Sequence, residues 1–508
     1  MSKSMILLAS FAVAAYAAGP AIVPAEFKSN QTLLPAYISL SYELSGFPSF
    51  AGTKSSPNQY SVNLLQNIAK YQGDMPRARV GGNSQDRAIY DATLQTPTAS
   101  RCSADPLAIQ CIGPSFFDSY GAFPSTKYSH GFNEAWNNAS GLSTLEATVP
   151  LACKAIGPDQ LETWEFGNEP DLFIGKWRPN NWNETHYVAE WQNGTKKIFE
   201  LFQQHCPELA TPVKFNFMAP SVSSPGSKLK PVTIFNNGED TENIIKQISV
   251  HNYITGVNSP GVTLQNSLMN HASTVNSINN HVNTAKSLAT IPGLEKVPYI
   301  QGEENSLYGG GRAGLSNVYG SALWVLDYVL QAASTGVIKR LHFHQSLGAS
   351  YSAWYPVGVN ATTNPTYYGK LAAAVFMGKS EERYVLPLPD AVNSSFESAY
   401  AGYDAKTGRL NRLAVINMNE FNSTQAANTR ESKTYEFMVP SSTWKVERLT
   451  APGADVTTGV TFGGYAYEYA TLGKPEAVVR RTEVLAVVGA RTLKVTVPAS
   501  EAAILTRL

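Results

Sequence analysis

The run Trp164-Glu165-Phe166-Gly167-Asn168-Glu169-Pro170 leaves a carboxylate at the end of an apolar segment. Trp, Glu and Phe read as a strand; Gly-Asn-Glu-Pro breaks it and sets the Asn168 amide beside Glu169. The pattern recurs in Val297-Pro298-Tyr299-Ile300-Gln301-Gly302-Glu303, a second apolar strand that ends in an acid. Two carboxylates brought together from strand ends can share the work of breaking an acetal. One protonates the departing oxygen, and the other attacks the anomeric carbon or activates water.

The elements that position them alternate. Tyr37–Glu43 reads as a strand, and Leu64, Leu65 and Ile68 place a helix over Gln59–Tyr71. Arg77–Asn83 is a short strand broken by glycines. After the Glu169 strand come a helix near Tyr187–Cys206, a strand at Ile248–Tyr253, the Glu303 strand, an apolar helix over Asn317–Ala333 and a last strand at Arg340–His344. This alternation predicts an α/β fold, a (β/α)8 TIM barrel over residues 18–375, whose strands all end on one face. Glu169 and Glu303 then fall on the fourth and seventh strands. After about Gly378 short β-rich runs take over: Arg412–Asn417, Thr434–Val439, Trp444–Leu449, Tyr465–Tyr469, Val484–Val488, Leu493–Val497 and Ala503–Leu505. They predict a C-terminal antiparallel β-sandwich domain over 376–508, packed directly on the barrel because no linker-like stretch intervenes. The extreme N-terminal segment is a candidate to join that β-domain.

Composition narrows the class. The chain has 508 residues, 43% hydrophobic and 15% charged, with a formal net charge of zero. That is a globular chain, and its charge balance argues against nucleic acid or a bulk polyanion as partner. Lys3, the apolar run Met5–Ala15 and the small-x-small site Ala15-Tyr16-Ala17 read as a signal peptide over residues 1–17, cleaved after Ala17 or Ala18 and too short to span a bilayer. Asn30, Asn138, Asn183, Asn193, Asn360, Asn393 and Asn422 open Asn-x-Ser/Thr sequons. A secreted, N-glycosylated, extracellular protein is expected, free of the membrane after cleavage and monomeric. The four cysteines allow three pairings; Cys102–Cys111 as a loop clip and Cys153–Cys206 as a tie around the Glu169 strand are favoured.

Three motifs carry a resemblance to glycoside hydrolase family 79, which holds β-glucuronidases and heparanases. They are Gln301-Gly302-Glu303-Glu304-Asn305-Ser306-Leu307-Tyr308-Gly309-Gly310-Gly311, Trp164–Pro170 and Arg79-Val80-Gly81-Gly82-Asn83. The resemblance covers nearly all of the mature chain and is strongest to fungal secreted members. It implies a retaining double displacement, with Glu303 as nucleophile, Glu169 as acid/base and carboxyls roughly 5 Å apart. It also implies that Asn168 binds the sugar 2-hydroxyl, and that Tyr308, Gly309 and Gly310 read a uronate carboxylate through a phenol and close-approaching backbone. Glu43, Tyr253 and Tyr351 are further candidate contacts. Glu304 is a rival to Glu303; neighbouring strand side chains point opposite ways, and the resemblance aligns Glu303. Glu304 is then a supporting or surface group. Glu165 shares parity with Glu169 and needs a buried cation, for which Arg79 is the candidate.

Other features read as structure. The glycine loop lacks the Lys and Ser/Thr of a phosphate loop. His342 and His344 lack a third metal ligand and read as barrel-wall packing. Trp182 and Trp191 read as helix packing. Nothing in the sequence requires a metal or organic cofactor. The leading expectation is a secreted retaining exo-β-glucuronidase that removes terminal β-linked glucuronic or 4-O-methylglucuronic acid from a glycan. A heparanase-like endo-β-glucuronidase, a non-catalytic carbohydrate-binding barrel and a neutral-sugar glycosidase are the alternatives. The even charge disfavours the first of these alternatives, the paired glutamates the second and Tyr308-Gly309-Gly310 the third.

Overall fold

The computed structural model describes residues 20–30, 32–103, 110–479, 482–487 and 492–508; the expected leader lies outside them. Eight parallel strands form the centre: β1 Ile38–Glu43, β2 Ala78–Gly81, β3 Tyr128–Phe132, β4 Leu161–Phe166, β5 Phe217–Val222, β6 Ile245–Val250, β7 Tyr299–Tyr308 and β8 Ile338–Gln345. They pair in chain order, and the ring closes: β8 pairs with β1, Leu341 opposite Ile38, and β7 with β6, Tyr299 opposite Ile248. A further strand, Asn252–Gly256, pairs with the outer half of β7, Tyr253 opposite Asn305, and raises the wall at that corner.

Strands covered on both faces must be apolar or internally paired, and β4 and β7 are buried nearly throughout. Pattern alone does not find β3 or β5. β3 contains His130 and Gly131, and β5 contains Pro220, residues that argue against a strand in isolation. Both are buried along their whole length, so tertiary packing overrides propensity there.

From Arg383 onward the strands pair antiparallel with one another, and only the N-terminal Ala21–Ile22 joins them in parallel. Glu397–Asp404, Leu410–Asn417, Glu501–Arg507 and Ser442–Thr450 lie side by side. A three-stranded sheet of Ala21–Ile22, Ser432–Met438 and Thr492–Pro498 faces them. Val415, Trp444 and Leu505 from one sheet share an apolar core with Phe437, Leu493 and Val495 from the other. The N-terminal segment therefore adds an edge to the β-domain before the chain enters the barrel.

The barrel helices Tyr319–Ser334 and Pro365–Met377 are buried almost all round, because the β-domain covers their outer faces. Tyr319 OH donates to Leu449 O at 2.6 Å, and Tyr400 OH to Asp327 Oδ1 at 2.7 Å. Leu449, Phe462 and Ile504 join the barrel's own apolar cluster, so one continuous core runs through both parts.

Cys102 pairs with Cys111, and Cys153 with Cys206. The second bond joins the helix Ala139–Gln160 to the end of Glu184–His205, the helices on either side of β4 in the chain. Loop-closure entropy assigns ~4 kcal/mol to a link across 53 residues and ~2.5 kcal/mol to one across 9. Replacing Cys153 and Cys206 together with Ala should therefore lower the unfolding free energy more than replacing Cys102 and Cys111. Guanidinium titration of the two variants measures this, and equal losses would contradict it.

Candidate active site

Glu169 and Glu303 meet at the C-terminal mouth of the barrel. β4 ends at Phe166, and both Gly167 and Glu169 take positive φ, 84° and 49°. Only glycine fits at 167, since a Cβ there would sit 2.0 Å from Glu134 Oε2. A glutamate in the left-handed region costs roughly 1–3 kcal/mol, which the surroundings must offset. Glu169 N donates to Ser221 O of β5 at 2.9 Å. Asp86 accepts the Asn168 N–H at 2.7 Å through Oδ2 and the Glu134 N–H at 2.9 Å through Oδ1. Burial pushes the Asp86 carboxyl up to about 7.

Glu303 lies in the middle of β7, which continues to Tyr308. Tyr253 OH donates to its Oε1 at 2.7 Å, and Arg79 Nη1 to its Oε2 at 2.8 Å; His344 Nδ1 lies 3.4 Å from Oε2. Arg79 comes from β2 and is wholly buried. Its Nε donates to Glu165 Oε2 at 2.8 Å, and its Nη2 to Asn168 Oδ1 at 2.7 Å. The Arg79–Glu165 pair is present, but it is more than structural support, because the same guanidinium holds Glu303 and Asn168. By occupying Oδ1, Arg79 leaves the NH2 end of the Asn168 amide as the donor.

The two carboxyls are tuned apart. An oxygen of each, with a ring nitrogen of His251, lies within 4.8 Å of the others. Burial raises the Glu169 pKa well above the carboxylate range, and the charge on Glu303 raises it further. Burial also opposes the charge on Glu303, but His344 and Arg79 outweigh it and hold that pKa below the usual range. His251 Nδ1 lies 3.0 Å from Glu169 Oε1, and burial pushes the ring down to about 4, leaving it neutral at neutral pH. His344 goes the other way: burial disfavours its charge, but Glu303 and Glu43 raise its pKa. A protonated acid beside an ionised carboxylate is the division that glycosidic cleavage needs. Glu169, His251 and Glu303 also have the donor types of a metal site, but both oxygens of Glu303 are already taken by Tyr253 and Arg79.

A cavity of about 330 Å³ opens above the pair. Glu43, Tyr253, Tyr308, Gly309, Gly310 and Tyr351 line it together with Glu169 and Glu303. The fold thus gathers every candidate except Asn168, which is buried against Arg79. Tyr308 ends β7 at the rim, 57% exposed. Gly309 and Gly310 follow with φ of 89° and 91°, and a Cβ on Gly310 would meet nothing within 4 Å, so the backbone borders open space. The Tyr351 ring lies 6.1 Å from that of Tyr253 and 5.9 Å from that of His344. Glu43 is already engaged, taking the N–H and O–H of Ser84 and lying 3.2 Å from His344 Nε2.

Several residues depart from the sequence expectation. His344 belongs to the site, while His342 stays in the wall with Nδ1 3.1 Å from Gln301 O. The pair share strand parity, so spacing does not separate them. Glu304 is fully buried and faces away from Glu303, not outward to solvent. Burial raises its pKa, and burial pushes the nearby Lys370 down to about 7. Asp86, His251 and the loop 346–349 are functional candidates that sequence reasoning missed. His251 had a signal, its place directly after β6; Asp86 in its short turn had none. Trp182 and Trp191 are buried in the packing, as expected.

A closed parallel barrel with two buried, oppositely tuned carboxyls on its fourth and seventh strands defines a glycoside hydrolase. Residues 399–504 match the model of the glycosyl hydrolase family 79 C-terminal beta domain. The chain is 40% identical over 505 residues to a protein named beta-glucuronidase from Neurospora crassa, covering 90% of this chain and 89% of that one. It is 41% identical to a protein of the same name from Aspergillus niger, covering 93% and 91%. The chain belongs to glycoside hydrolase family 79. The crystal structure of a 4-O-alpha-L-rhamnosyl-beta-D-glucuronidase from Fusarium oxysporum 12S shares the fold, with a TM-score of 0.76 at 24% identity over 96% of this chain and 100% of that one.

Two outcomes follow from the charges. Arg79→Met leaves Glu165 and Glu303 buried without their cation, and should cost about 3–5 kcal/mol of stability. An unchanged denaturation midpoint would remove Arg79 from the centre of the site. The pH profile of kcat/KM should stay flat below the usual carboxylate range, because Glu303 keeps its charge there. It should fall only well above about pH 4, where Glu169 gives up its proton. A profile that declines through the ordinary carboxylate range on its alkaline side would contradict the tuning.

Proposed function

We propose that the protein is a secreted, retaining exo-β-glucuronidase that hydrolyses terminal β-linked glucuronic acid, with or without a 4-O-methyl group, from glycans. The observation that carries this reading is the meeting of the tuned Glu169–Glu303 pair with Tyr308, Gly309, Gly310 and Tyr351 around one small cavity. Glu303 attacks the anomeric carbon while Glu169 protonates the aglycone oxygen. A glycosyl-enzyme forms on Glu303, and Glu169 then takes a proton from the incoming water. Asn168 holds the 2-hydroxyl through its NH2 end. The two tyrosines and the glycine backbone offer neutral donors to the uronate carboxylate, so recognition adds no lysine or arginine beside the nucleophile.

The names of the fungal relatives support glucuronide as substrate. Exo action is supported by size: about 330 Å³ is at the small end of ligand pockets, roughly 300–1,000 Å³. Endo cleavage of a sulfated chain calls for basic flanks, and no Lys or Arg lines the cavity among the described residues. Secretion is supported by the leader pattern, the sequons and two disulfides.

Matched aryl β-D-glucuronide and β-D-glucoside test the substrate. Strong preference for the glucuronide is expected, and preference for the glucoside would overturn the uronate reading. Glu169→Ala should keep turnover of aryl glycosides with good leaving groups, which depart without a proton, whereas Glu303→Ala should lose turnover of all of them. Azide rescue of Glu303→Ala with retained configuration would reverse the two roles.

A further inference from the structure

The barrel wall is irregular at the nucleophile. Gln301 of β7 stands opposite Leu341 of β8, and Glu304 stands opposite Phe343. Gly302 and Glu303 therefore face the single residue His342, which makes a β-bulge. Bulges are rare between parallel strands, and beside active sites they re-aim a side chain.

The side chains follow the bulge. Gln301 turns outward, where its Oε1 accepts from Tyr328 OH of the helix Tyr319–Ser334 at 2.9 Å. Glu304 also turns outward, buried near Lys370 of the helix Pro365–Met377. Gly302 and Glu303 between them both face the barrel interior. A Cβ at 302 would lie 2.1 Å from Ser249 Oγ of β6, and the Glu303 carboxyl meets Tyr253 and Arg79. With Gln301 facing out, regular alternation would turn Glu303 outward as well. The extra residue is what turns the nucleophile in.

His342 is bonded to this bulge. It is 1% exposed, and its Nδ1 lies 3.1 Å from Gln301 O, where β7 leaves the regular ladder. A carbonyl oxygen only accepts, so Nδ1 carries the proton and donates it. Burial pushes the ring down to about 3, so at neutral pH this is its single N–H.

We propose that His342 is a positioning residue for Glu303: its Nδ1–H holds the bulge in β7 that turns the nucleophile into the cavity. The inference rests on Glu303 as the nucleophile of the glucuronidase reading and names what keeps it in place. The two histidines of the His-x-His pair then divide the work. His344 acts on the charge of Glu303, and His342 on its position.

The test compares His342→Leu, which removes the donor, with His342→Asn, whose amide nitrogen takes the place of Nδ1. In His342→Leu, kcat for an aryl β-D-glucuronide should fall about tenfold or more, because misplacing a reacting atom by about 1 Å costs up to the order of a hundredfold. The inhibition constant of D-glucuronate should change less than about twofold, since the contacts that bind the sugar are made by other residues. His342→Asn should restore most of the lost kcat. Equal losses in both variants, a matching loss of glucuronate binding, or unchanged turnover in His342→Leu would each overturn the proposal. Should His342→Leu not fold, His342→Gln replaces it, because its longer side chain carries the amide nitrogen to the place of Nε2. If wild type cleaves no glucuronide, the glucuronidase reading fails, and crystal structures of the variants then decide the placement. The 2.8 Å contact between Arg79 Nη1 and Glu303 Oε2 should break in His342→Leu and persist in His342→Asn, and its persistence in both overturns the proposal.

Discussion

A single buried guanidinium organises this active site. Arg79 is fully buried at the barrel mouth and donates to Glu165, Glu303 and Asn168. Removing a cation from water is costly, and its return depends on geometry and on every donor finding an acceptor. The planar fork meets this by spanning groups from β4, from the loop after it and from β7. The two segments that carry Glu169 and Glu303 are thus joined through one residue from β2. Barrel closure makes this possible, since strands distant in sequence converge on the same mouth.

The opposite tuning of two identical side chains follows from what lies next to each. Both are desolvated, which alone would raise both. Glu303 gains Arg79, Tyr253 and His344 and keeps its charge; Glu169 has a neutral histidine and a neighbouring negative charge, and keeps its proton. The left-handed backbone at Glu169 belongs to the same arrangement. Asp86 and Ser221 hold the strained loop from two sides, so Glu169 stays within reach of Glu303 without a cation of its own.

The β-domain bears on the site indirectly. It buries the helices after β7 and β8 on their outer faces, and one apolar core runs through both parts. That packing steadies the strands from which Glu303 and His344 project. The segment after β6 is tied to the same domain: Gln265 Nε2 donates to Met418 O at 2.9 Å, and His271 N to Ser395 O at 2.7 Å.

Much of this was legible in the chain. Alternating apolar runs gave the barrel, the shift to short β-runs after Gly378 marked the second domain, and Gly-Asn-Glu-Pro with Gly-Glu picked out both carboxylates, because local breaks after apolar strands depend on local chemistry. The strands β3 and β5 were not legible, since His130, Gly131 and Pro220 contradict strand propensity and only burial between neighbours overrides it. The roles of His344 and Asp86, the inward burial of Glu304 and the different protonation of two glutamates were not legible either. Each depends on which distant groups closure of the barrel brings within a few ångströms. By itself the sequence determined which residues could do the chemistry and that they stand at strand ends; the tertiary structure alone decided which of them is charged, because desolvation and charge–charge interaction are set by neighbours that are remote along the chain.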